Sequence, residues 1–176
     1  MKATPVTLPC LLSLLLLFGP ASSRAVDTTC MPGTFRLIAE QSDDINRAIE
    51  AAIAPMNFIK RPFARDRLRK ICMPYPRLEI ESLPDALLIV ADPRAPIRMP
   101  LNGTPISWHR EDGEPFNVSG VWKGPAFEQT FVSGTGRRVN RYTVSPDGQR
   151  LTIHVVITGG GLEGPVTYNL VYRRSS

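Results

Sequence analysis

Histidine, cysteine and long apolar runs are scarce in this chain, and each scarcity removes a class of function. There are two histidines and three cysteines among 176 residues. Two of the cysteines follow residue 25, fewer than the usual four ligands of a structural zinc site, and the two histidines lie far from them in sequence. After residue 25, no apolar stretch approaches the roughly 20 residues that a membrane-spanning helix needs. The sequence therefore predicts no metal centre and no spanning helix.

Catalytic motifs are also missing. The segment "VSGTG" at residues 132–136 has neither the spacing of a nucleophile elbow nor a helix after it. His109 and His154 fall on the polar side of their predicted strands. Glu79 and Glu81 share the outer side of one strand, whereas paired catalytic carboxylates come from opposite sides of a cleft. We expect a protein that is not an enzyme and that needs no cofactor.

The first 25 residues have the pattern of an export signal, with Lys2 before the apolar run "LLSLLLLFG" and small residues before the expected cleavage after Ala25. Cleavage after Ala21 is the alternative. Loss of Lys2 and Arg24 lowers the formal charge from +5 to +3. Such a mild basic bias in an exported protein does not favour nucleic acid as a partner. We expect a periplasmic or secreted protein.

Two cysteines, Cys30 and Cys72, remain after cleavage. An oxidising compartment favours a disulfide between them, worth about 4 kcal/mol in the loop-entropy model. Two separately buried thiols are the alternative.

The segment 26–76 combines a short strand with two helices. "GTFRLI" is the strand, and Ser42, Asp43 and Asp44 supply a cap and first-turn acids for a helix with Ile45, Ile49 and Ile53 on one side. A second helix over residues 63–71 can turn Phe63, Leu68 and Ile71 inward. Its basic face is Arg65, Arg67, Arg69 and Lys70. This face either docks on an anionic membrane or an acidic partner, or is a solvated helix surface.

From Arg77 to the end of the chain, apolar residues alternate with polar ones. Eight or nine strand-length units follow one another, joined by turns rich in Pro, Gly, Asn and Asp. In the final hairpin, Leu151 to Ile157 and Val166 to Tyr172 each have one dry side, with "SPDG" as the turn before them.

Parallel strands need crossover helices, and none are available after Arg77, so the pattern predicts a mainly β fold with an antiparallel up-and-down meander. Closure into a lipocalin-like barrel removes exposed strand edges. A two-layer sandwich with the helices at one end is the alternative. We expect one domain, made of the segment 26–76 together with the meander 77–176.

The strand "GTFRL", the helical insertion after it and the C-terminal stretch "YTVSPDGQRLTIHVVI...GPVTYNLVYRR" form a recognisable arrangement. With these features, the chain resembles uncharacterised bacterial exported proteins that have lipocalin-like (calycin-type) barrels. The resemblance rests most on residues 142–174. It implies a barrel and carries no activity with it.

Two functions remain open. The first is an exported binding protein that holds a small apolar ligand inside the barrel. The second is an envelope interaction protein with a packed core that acts through its basic helical segment. Gly120 leaves room beside the inward aromatic residues, although the same residues could equally fill a closed core. The ligand-binding candidates are Phe116, Val118, Trp122, Phe127, Phe131, Tyr142 and Tyr168, with Tyr172 on the same side.

Overall fold

The computed structural model describes residues 31–175, so the predicted signal and Cys30 lie outside the described residues. Two helices separate the first strand from nine others, and a short 3-10 turn over Ala39–Gln41 follows the first strand. The elements are β1 (Gly33–Leu37), α1 (Ile45–Ile53), α2 (Arg61–Ile71), β2 (Arg77–Ser82), β3 (Ala86–Asp92), β4 (Ile97–Pro100), β5 (Ile106–His109), β6 (Pro115–Lys123), β7 (Ala126–Val132), β8 (Gly136–Val144), β9 (Arg150–Gly159) and β10 (Val166–Ser175).

All ten strands belong to one antiparallel sheet with the order β4-β3-β2-β1-β10-β9-β8-β7-β6-β5. β1, the first strand of the described residues, pairs with β10, the last one, and the sheet curls into a nearly closed barrel. The meander and the barrel predicted from the alternation are confirmed. Within the described chain, β4 and β5 do not pair, so the barrel has one seam there.

The inward sides of β9 and β10 carry the core predicted for the final hairpin. Leu151, Val155 and Tyr168 are buried, and Tyr168 lies opposite Val155 in the ladder. Asp147 accepts hydrogen bonds from Ser145 Oγ and Gln149 N in the preceding turn. Burial of each large apolar side chain contributes about 1.5–3 kcal/mol, so this hairpin is a main source of stability.

The helix α1 begins at a different cap from the one predicted. Asp44, not Ser42, is the N-cap, and its carboxylate accepts hydrogen bonds from Asn46 N and Arg47 N. Ser42 instead accepts a hydrogen bond from Val171 N and so fastens the segment before α1 to β10. Because a side chain that reaches the sheet is not free to cap, the helix starts later.

The helix α2 lies across one end of the barrel. Leu68 is buried and Ile71 is half-buried, as predicted, but the inward orientation predicted for Phe63 is wrong because its side chain is 76% exposed. Phe63 is five residues before Leu68, which is about 140° away around a helix. No helix in the described residues is long and apolar enough to cross a membrane.

Candidate ligand-binding site

A cavity of about 90 Å³ lies at the end of the barrel beneath α2, which we call the mouth. Ala64, Leu68 and Ile71 of α2 form its roof. Its walls come from the ends of β5 to β9 and from the turns between them, so residues far apart in sequence meet there.

Three aromatic rings form the apolar wall of the mouth. Trp108, Phe116 and Phe131 lie with ring centroids 6.0–6.2 Å apart, two of the pairs edge to face. The ladder sets this contact, because Trp108 is paired with Phe116 and Phe131 is paired with the neighbouring Val118. Tilted and edge-to-face aromatic pairs are worth about 0.5–1.5 kcal/mol beyond their burial, so these contacts stabilise the wall.

The indole nitrogen of Trp108 is buried within this wall. Trp108 is 8% exposed, and its Nε1 has no hydrogen-bond partner in the described part of the chain. A buried donor without an acceptor costs about 1–3 kcal/mol. Because this nitrogen is itself buried, the indole contributes apolar surface to the wall and no accessible donor.

Arg138 is the cation at the base of the mouth. It lies on the inward side of β8, donates to the Ile71 carbonyl oxygen (2.6 Å) and donates from Nε to Asn140 Oδ1 (2.8 Å). Burial by itself would lower the pKa of this guanidinium, but the neighbouring Tyr168, Tyr75 and Cys72 raise it. Arg138 therefore keeps its charge in a half-buried position.

Arg67 lies at the rim of the mouth and joins α2 to two turns. Its Nη2 donates to Thr135 Oγ1 (2.6 Å) in the turn between β7 and β8. A Cβ at Gly160, where φ is +65°, would lie 3.3 Å from Arg67 Nη1. Glycine at this position lets the guanidinium approach the turn between β9 and β10 closely.

The other arginines of the mouth differ in their ion pairs. Arg110 pairs with Asp112 and Glu114, both at 2.6 Å, and its hydrogen bond lowers the pKa of Asp112 to about 2. Arg94 lies 3.7 Å from a Glu111 oxygen. By contrast, no carboxylate among the described residues lies within ion-pair distance of Arg67, Arg137 or Arg138.

A buried polar network lies behind Arg138. The Tyr142 hydroxyl donates to Gln129 Oε1 (2.6 Å), and Asn140 Nδ2 donates to the same oxygen (3.2 Å). Sequence reasoning missed Gln129, Asn140 and Arg138, although all three fall on the inward phase of β7 or β8. Polar residues in an inward phase were the available signal.

The seven predicted ligand-binding residues occupy two regions. Phe116 and Phe131 line the mouth cavity. Val118, Phe127, Tyr142 and Tyr168 are buried in the core, and Trp122 is half-buried against Phe127 (centroids 5.3 Å apart). The room expected beside Gly120 is absent, because a Cβ there would lie 2.3 Å from Phe127 Cζ.

The four residues of the predicted basic face also have different contacts in the structure. Arg65 pairs with Glu50 of α1 at 2.5 Å, and Arg67 is bonded at the mouth. Arg69 and Lys70 are exposed on α2.

Cys72 is buried and has no disulfide partner among the described residues, and burial raises the pKa of its thiol. Its predicted disulfide partner, Cys30, lies outside the described residues, so the disulfide stays a prediction. In the described part of the chain, no cluster of His, Cys, Asp and Glu could hold a metal ion.

A second, more open crevice of about 410 Å³ lies between the start of α1 and the end of α2. Its two carboxylates are already used. Asp43 accepts hydrogen bonds from the backbone and side chain of Asn169, while Asp44 caps α1. The mouth, where no described carboxylate pairs with Arg67, Arg137 or Arg138, is therefore the better candidate.

The architecture matches solved structures. A SAHS (abundant heat soluble) protein from Ramazzottius varieornatus has a TM-score of 0.58 at 12% identity, with 83% of this chain and 96% of that chain covered. A Schistosoma mansoni fatty acid binding protein in complex with arachidonic acid has a TM-score of 0.54 at 16% identity, with 85% and 98% covered. Echinococcus granulosus fatty-acid-binding protein 1 has a TM-score of 0.53 at 11% identity, with 84% and 99% covered.

The fold is a calycin-like barrel. At these identities the similarity shows the fold alone. No protein-family model matches the chain, and the search of curated proteins gave no match.

Proposed function

We propose that this chain is an exported, non-enzymatic calycin-like protein of the bacterial envelope that binds a small apolar ligand in the mouth beneath α2. One observation carries the proposal: the rings of Trp108, Phe116 and Phe131 form an apolar wall of a cavity that five arginines also line. Concave, largely apolar cavities with a few polar groups are the usual form of small-molecule sites. The fatty acid binding proteins of the same fold support this choice, since one of them is solved with arachidonic acid.

Thermal unfolding with a panel of amphiphiles tests the proposal. A ligand at a hundred times its Kd stabilises the folded state by about 2.7 kcal/mol, which raises Tm by roughly 5–10 °C in a chain of this size. Phe131→Ala should remove the shift because its ring forms the cavity wall.

Trp122→Phe is the matched control, since Trp122 packs against Phe127 away from the cavity. It should keep the full shift. If no amphiphile moves the parent Tm, or if Trp122→Phe loses the shift while Phe131→Ala keeps it, the mouth is not the site.

A second candidate function is docking on an anionic membrane surface through the helices. Phe58, Ile59 and Phe63 are 74%, 62% and 76% exposed at the tip between α1 and α2. Cations on the same helical segment, Lys60 and Lys70, have no carboxylate partner in the described chain. Exposed aromatic groups can enter the apolar part of a membrane while basic neighbours contact its anionic head groups.

Sedimentation with vesicles containing phosphatidylglycerol tests docking. The double variant Phe58→Ser, Phe63→Ser should lose vesicle binding and keep the parent melting curve. Val121→Ser, a similar change at a 39% exposed position on β6, is the control. Equal vesicle binding by both variants would exclude a role for the tip, and binding to an acidic protein but not to vesicles would favour an envelope partner.

A further inference from the structure

We propose that the ligand of the mouth carries an oxyanion, which Arg138 contacts at the base while Arg67 and Arg137 approach from the rim, and that its apolar part is compact. This inference rests on the proposed ligand-binding function. It adds the charge and the size of the ligand, which the fold by itself does not give.

The residues that line the cavity carry an excess of positive charge. Five arginines line the mouth together with one acid, Glu114, and that acid pairs with Arg110. Arg138 is bonded to neutral oxygens of Ile71 and Asn140, and Arg67 to the neutral hydroxyl of Thr135. A partly buried guanidinium with no anion has lost hydration that nothing replaces in full. The site is therefore favourable for a negative charge.

The arginine donors of the cavity have a geometry that suits an oxyanion. Arginine presents a planar fork of N–H donors that matches carboxylate and phosphate oxygens, and such charge-assisted bonds are about twice as strong as neutral ones. Arg138 is held in place by Asn140, which in turn bonds to Gln129. A fixed donor loses little entropy on binding.

The cavity is small, with a volume of about 90 Å³. At roughly 10–15 Å³ for each water position, it holds about six to nine such positions. Drug-sized ligand sites have about 300–1,000 Å³. Below the mouth, the barrel is filled by its own side chains, including Phe127, Tyr168 and Tyr172. The enclosed part of the ligand is therefore about the size of one aromatic ring or a short alkyl chain.

Calorimetric titration of the purified chain at low salt tests the charge. The probes are 3-phenylpropionate and its neutral amide, which share a shape and differ in the head group. We expect the acid to bind at least tenfold more tightly than the amide. In Arg138→Gln this ratio should fall below about threefold. The matched control is Arg141→Gln, an exposed position on the outer side of β8, which should keep the tenfold ratio.

A double variant, Arg67→Gln with Arg137→Gln, keeps the test open if Arg138→Gln does not fold. Both side chains lie at the exposed rim, so the variant should fold and should also reduce the ratio. Equal affinities for acid and amide, or a ratio that survives both sets of changes, would overturn the oxyanion while leaving ligand binding in place. Failure of both probes to bind would overturn the proposed function with it.

Two further sets of probes define the class of the ligand more closely. The first is phenyl phosphate, which carries a phosphate in place of the carboxylate. Whichever of phenyl phosphate and 3-phenylpropionate binds more tightly identifies the preferred head group. In a series from hexanoate to palmitate, affinity should stop rising after about eight carbons. A continued gain of about fourfold for each added methylene, the value for full burial, would show a longer cavity and overturn the compact ligand.

Discussion

The mouth of the barrel and its closed half, the region around Phe127, Gln129 and Tyr142, are built from the same strands and differ in what fills them. In the closed half, the Phe127 ring occupies the space beside Gly120, and polar groups bond to one another. At the mouth, no carboxylate of the described residues pairs with Arg67, Arg137 or Arg138. The comparison teaches that one alternating pattern can produce a packed core at one end of a barrel and a site at the other.

The largest effect should come from removing the ring that fills the closed half. Phe127→Ala should lower the free energy of unfolding by about 3–5 kcal/mol, because the buried ring leaves a cavity. Phe131→Ala at the mouth should cost less, since that side chain is half-buried. Urea unfolding measures both. The distinction between the halves fails if Phe127→Ala weakens binding of 3-phenylpropionate as much as Phe131→Ala does.

A smaller effect should come from the polar network that links the two halves. Gln129→Ala removes the acceptor shared by Tyr142 and Asn140, and an unsatisfied buried donor costs about 1–3 kcal/mol. Because Asn140 also holds Arg138, binding of an anionic probe should weaken as well. Thr130→Ala, on the outer side of the same strand, is the control. Loss of stability without any change in binding would show that the network serves the core alone.

The smallest effect should come from the ion pair at the rim. The Arg110 hydrogen bond holds the pKa of Asp112 at about 2, below the ordinary carboxyl value of about 4. Since the pKa is lowered in the folded state, the contribution of the pair is complete above pH 4 and is lost as pH falls through 2. An NMR titration of the Asp112 carboxyl should show this midpoint. In Arg110→Gln it should return towards 4, and an unchanged midpoint would exclude the pair as its cause.

The sequence predicted the elements well where a local signal was strong. Alternation of apolar and polar residues placed Leu151, Val155 and Tyr168 on the inward side, and the structure confirms it. Helical spacing predicted α1 but misplaced its cap, because the bond between Ser42 and Val171 joins residues far apart in the chain. Phe63 was predicted inward because an apolar side chain usually is, yet the helix turns it outward. The candidate site was predicted in part, since Phe116 and Phe131 line the mouth, whereas its charge had only polar residues in the inward phase, such as Arg138, as a signal.

The sequence by itself determined the strand phases, the turns, the two helices and the antiparallel order, because each of these depends on residues close together in the chain. Only the tertiary structure decided which inward residues fill space and which surround it. Phe127 and Phe131 have the same phase on the same strand, and the difference between them arises from Gly120 beside one and the roof of α2 above the other. It also decided the charge of the mouth, since carboxylates reach Arg110 and none in the described chain reaches Arg138. Ion pairs depend on distances between side chains across the barrel, and those distances exist only after the sheet has closed.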